Sequence, residues 1–87
     1  TRVETVKGWE FDAVVTYDTQ ETQQTSSKWR IVGLQDVDLI SKAYNVFAWE
    51  YTYKYYDNFQ GLEIHIDYSY MVAGYVVDSS KTIKVHV

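Results

Sequence analysis

The alternation between Phe47 and Tyr70 constrains this chain more than any other feature of it. Phe47, Trp49, Tyr51, Tyr53 and Tyr55 alternate with Ala48, Glu50, Thr52 and Lys54; Leu62, Ile64, Ile66, Tyr68 and Tyr70 alternate with Glu63, His65, Asp67 and Ser69. A period of two is that of a strand with one buried face. The apolar set moves from odd to even positions across Asp57-Asn58-Phe59-Gln60-Gly61. An antiparallel hairpin reconciles the two parities, because residues opposite each other in such a pair share one side of the sheet. Ala43 to Val77 is therefore read as two long strands with a tight connection. A loop of Asp57-Asn58, of Asp57 to Gln60 or of Asn58 to Gly61 sets Glu50 opposite His65, Asp67 or Ser69 respectively, and all three keep the same faces inward.

The flanking sequence follows the same logic. Arg2 to Lys7 reads as a short edge strand or a frayed terminus. After Gly8, the odd residues Trp9, Phe11, Ala13, Val15 and Tyr17 form the core face of a strand. Thr19 to Ser27 holds no apolar residue and reads as an exposed loop. Lys28 to Leu34 resumes a strand, with Gly33 marking a bulge or close approach. For Gln35 to Lys42, Val37, Ile40 and Tyr44 fit a helical turn capped by Asp36 while Val37 and Leu39 also fit an extension of the strand; a turn or one short helical turn is the expectation. Met71 to Val77 is almost continuously apolar, which fits a strand covered on both faces or one bending at Gly74. Asp78 to Lys81 has the composition of a turn, and Ile83, Val85 and Val87 point a last strand inward.

Five or six strands and no amphipathic helix define an all-β fold, a small antiparallel β-sandwich or partly open barrel. Eighty-seven residues make a single domain, expected to be either a mature secreted product or one module of a longer chain. Without cysteine there is no disulfide to add stability and no thiolate metal site, so core burial must hold the fold. The eight basic residues are scattered in a chain of formal charge −4. That distribution argues against nucleic acid and anionic membranes as partners, and no apolar run approaches the ~20 residues of a membrane-spanning helix.

Three groups of residues invite a functional reading. Glu63, His65 and Asp67 share one strand face with Glu50 nearby, a set that could ligate a divalent metal; alternation already requires polar residues there, and a solvated face is the preferred reading, with no metal or cofactor expected. No serine sits where His65 or His86 would activate it, and no nucleophile elbow, phosphate loop or HExxH segment occurs, so no catalytic residue is assigned. The ladder Trp49, Tyr51, Tyr53, Tyr55 resembles a sugar-binding platform but is expected to be core, packed against Trp9, Phe11, Trp29 and Ile31. Tyr55, Tyr56 and Phe59 crowd the hairpin tip, where apolar bulk is hard to bury, and form the candidate binding site. The function expected is that of a non-catalytic module, secreted or at the cell surface, recognising a protein or carbohydrate. The alternative is a small secreted effector, such as a bacteriocin-like toxin or an enzyme inhibitor.

Overall fold

The computed structural model describes residues 1–21 and 29–87. Six strands are formed: β1 (Arg2–Lys7), β2 (Phe11–Glu21), β3 (Trp29–Ser41), β4 (Asn45–Tyr56), β5 (Gly61–Val72) and β6 (Tyr75–His86). They make two three-stranded antiparallel sheets in the orders β1-β2-β3 and β4-β5-β6. The sheets pack together as a small all-β sandwich, the fold class that the alternation requires.

The core lies between the two central strands. Phe11, Ala13, Val15 and Tyr17 of β2 cluster with Leu62, Ile64, Ile66 and Tyr68 of β5, joined by Ile31, Val37 and Leu39 of β3, Val46 of β4, and Ile83 and Val85 of β6. Each fully buried aliphatic side chain contributes about 1.5–3 kcal/mol. The two buried tyrosines keep their hydroxyls satisfied: Tyr17 donates to Glu4 Oε1 (3.2 Å) and Tyr68 to Glu10 Oε2 (3.0 Å). Burial, helped by those carboxylates, pushes both phenols above the ordinary tyrosine range.

The sheets are staggered along their length. At one end Ile31 N donates to Phe59 O (2.7 Å), so Trp29 and Arg30, with their partners Glu21 and Gln20, run past the β4–β5 loop. At the other end Phe11, where β2 begins, packs edge-on against Tyr68 (4.9 Å). Beyond that contact β5 continues to Val72, paired with a β6 that starts at Tyr75. This offset draws the molecule out to 56 × 18 × 17 Å.

Several expectations are corrected. Gln35 to Lys42 is not a turn or helical turn: Asp36 to Ser41 pair with β2 from Thr16 to Phe11. Bulges that leave Val32 and Gln35 without β2 partners shift the period twice and obscure the alternation. Asp78 to Lys81 is not a turn but part of β6, paired with Ser69 to Ile66. Met71 to Val77 neither is covered on both faces nor passes between sheets. It folds back through a two-residue turn at Ala73-Gly74, where both residues have positive φ (48° and 82°). Thr19 to Glu21 extend β2, whereas residues 22–27, the rest of the expected loop, and residue 28, the expected start of the next strand, lie outside the described residues.

The expected burial of the aromatic ladder is also corrected. Trp49 and Tyr55 are half-buried, but Phe47, Tyr51 and Tyr53 are exposed, Tyr53 to 50%. Their cross-strand neighbours Ile66 and Ile64 are fully buried. The opposite sheet therefore covers β5 and stops short of the middle of β4. Trp9 is 69% exposed in the bend before β2, and Trp29 is exposed beside the Arg2 guanidinium (5.0 Å).

Candidate functional site

The three residues of the hairpin tip do not form one surface. The β4–β5 loop is Asp57 to Gln60, which sets Glu50 opposite Asp67. Asp57, Asn58 and Phe59 all lie in the left-handed region (φ 52°, 53° and 65°), a conformation disfavoured for residues with a Cβ. Tertiary contacts hold it. Phe59 O accepts from Ile31 N, Gln60 O accepts from Val87 N (2.9 Å), and His86 Nε2 meets Asp57 Oδ2 at 2.7 Å. That carboxylate raises the His86 pKa above the ordinary imidazole value.

Tyr55 and Phe59 come together, with ring centroids 5.0 Å apart, and Tyr53 adjoins Tyr55 at 6.0 Å. Tyr56 points to the other side. Its ring lies across Gly61, beside His86 (6.0 Å) and under Lys84 Nζ (5.5 Å). A Cβ at Gly61 would run into the Tyr56 ring, so the glycine is required by space. Tyr56 is thereby committed to closing the hairpin.

The polar face of β4-β5-β6 carries Glu50, Glu63, His65 and Asp67 as expected, but these side chains do not converge. Glu63 is engaged by Lys54 (3.0 Å) and Lys84 (3.9 Å). His65 spans Thr82 through Nδ1 (3.0 Å) and Asp67 through Nε2 (3.3 Å). Glu50 stands opposite Asp67 with no ion-pair partner among the described residues. Among those residues no three His, Cys, Asp or Glu side chains are grouped to hold a metal. The depressions on this face, one lined by Glu50, Asp67 and Asp78 and the other by Lys54, Glu63 and His65, are shallow and open to solvent.

A further apolar surface lies where the sequence placed none, at the overhanging end of β5 and β6. Met71 and Val76 are paired on one face and both exposed; Tyr75, next to the turn, is 76% exposed. On the inner face an aromatic row leads into this surface. Trp9 meets Tyr44 edge-on (5.7 Å), Tyr44 stacks on Tyr70 (5.1 Å), and Tyr70 stacks on Tyr68 (5.9 Å), which belongs to the core. The available signal was Gly74 preceded by a small residue between two apolar pairs, the mark of a two-residue hairpin turn.

No protein-family model, curated protein or solved structure matches this chain. Among the described residues no helix is long and apolar enough to cross a membrane.

Proposed function

We propose that this domain is a non-catalytic recognition module that docks on an apolar patch of another protein through the overhanging end of β5 and β6. The observation that carries this reading is the exposure of Met71, Tyr75 and Val76 around one turn, Met71 and Val76 on one face of the hairpin and Tyr75 on the other. Large exposed apolar groups concentrated in one place mark interaction surfaces, and a rigid aromatic such as Tyr75 is a common anchor of such contacts. At the opposite tip Phe59 is also exposed, but its backbone is held by Ile31, Tyr56 closes over Gly61, and Tyr55 is half-buried. A non-catalytic role is supported by the engagement of both histidines in contacts on exposed faces. A location outside the cytoplasm is part of the same proposal, and a composition rich in Thr, Gln, Ser and Tyr is compatible with it.

The reading is tested on arrays of extracellular proteins and of glycans, comparing the wild type with a Tyr75→Ser, Val76→Ser double variant and with Phe59→Ser. Protein binding that the double variant loses and Phe59→Ser retains is the expected outcome. Binding confined to glycans, binding lost only with Phe59→Ser, or no binding at all overturns it.

A further inference from the structure

The four edge strands of this sandwich differ in how they discourage pairing with another chain. Sheet edges present unpaired backbone groups, and proteins blunt them with inward charges, bulges or short strands. β1 has six residues and turns Arg2 and Glu4 toward the half-buried side. β3 carries two bulges, and β6 turns Lys81 inward over the Phe11 ring (5.5 Å). β4 has none of these devices beyond its first residues. Its only bulge is at Phe47, its inward side chains from Trp49 to Tyr55 are all aromatic, and among the described residues it pairs only with β5.

We propose that β4 is the interface between two copies of this chain, which pair antiparallel about a two-fold axis at Thr52 and merge the two β4-β5-β6 sheets into one. Charge selects that register. With Thr52 opposite its own counterpart, Glu50 of each copy faces Lys54 of the other, and Tyr51 faces Tyr53. A register centred on residue 50 or 54 would oppose like charges, one centred on Tyr51 or Tyr53 would leave both Glu50 and Lys54 without an opposite charge, and pairing odd residues with even ones would set aromatic faces against polar ones. Two independent features fit the second copy. Glu50 sits opposite Asp67 and has no ion-pair partner among the described residues, and the partner's Lys54 would supply one. Tyr51 and Tyr53 are exposed although their neighbours on β5 are fully buried, and pairing shields both rings.

Sedimentation across a concentration series should show the wild type at twice the monomer mass. Glu50→Lys and Lys54→Glu should each weaken the dimer by roughly tenfold or more, because each opposes like charges twice. An equimolar mixture of the two variants should dimerise again, since both charge pairs are then complementary. A wild type that stays monomeric, or a mixture that does, overturns the proposal. Should either variant fail to fold, the cysteine-free background permits a second test: Thr52→Cys should cross-link to its own counterpart under oxidised glutathione, and Lys54→Cys should not. Equal cross-linking at the two positions also overturns it.

Discussion

The two ends of β5 enter the same pair of hairpins, yet they are built on opposite terms. At Gly61 the loop before the strand is fastened to two other parts of the molecule, to β3 through Ile31 and to the end of β6 through His86 and Val87. At Val72 the chain reverses in two residues, with no atom of the described residues within 4 Å of where a Cβ on Gly74 would sit. Three consecutive left-handed residues at the first end are held by tertiary bonds; at the second end Ala73 and Gly74 both take positive φ, and only the glycine does so without the cost that a Cβ brings. The two ends differ in backbone support rather than in exposure, since Phe59 at the anchored end and Met71, Tyr75 and Val76 at the other all reach solvent.

The largest effect expected along this strand comes from its middle. Ile64→Ala, at a fully buried site, should cost about 2–5 kcal/mol, and Met71→Ala on the overhang well under about 1 kcal/mol, as read from urea denaturation midpoints. Comparable losses at both sites would mean that the overhang is packed. Next come the two glycines, which are needed for different reasons. Gly61→Ala should cost about 1–3 kcal/mol by displacing the Tyr56 ring, and combining it with Tyr56→Ala should add less than Tyr56→Ala costs alone. Gly74→Ala meets no atom but must adopt φ +82°, for about 1–2 kcal/mol, with no such coupling to Tyr56. The smallest effect is pH-dependent. His86 has a folded-state pKa above its unfolded value because Asp57 favours the charged ring, so its contribution is present in acid and fades as pH rises from about 6.5 through the higher folded pKa. Proton resonance titration of the His86 ring should give that raised midpoint, and His86→Gln should flatten the slope of melting temperature over the same range.

The architecture was legible where alternation is unbroken. β2, β5 and the end of β6 show their inner faces directly, and the parity switch at Asp57 to Gly61 demanded a hairpin, one of whose three possible registers is present. Where bulges slip the period, as at Val32 and Gln35, the strand was hidden. Alternation states that one face is apolar; it does not state that another layer lies over it. For that reason Tyr51 and Tyr53 read the same as Ile64 and Ile66 although only the second pair is covered. The continuous apolar run at Met71 to Val77 fails for a related reason, since burial on both faces and exposure on both faces share one composition. At the tip, Tyr55 and Tyr56 are adjacent in a strand, so alternation itself places them on opposite sides.

The chain passes between its two layers once, through Lys42 to Tyr44. Every strand on either side of that link pairs with its immediate neighbour in sequence, so each half can assemble from local contacts with small loop-closure costs. Neither half covers its own apolar face. The molecule is thus two short meanders tethered at a midpoint seam, and its cooperativity rests on their association across the core rather than on any strand exchanged between them.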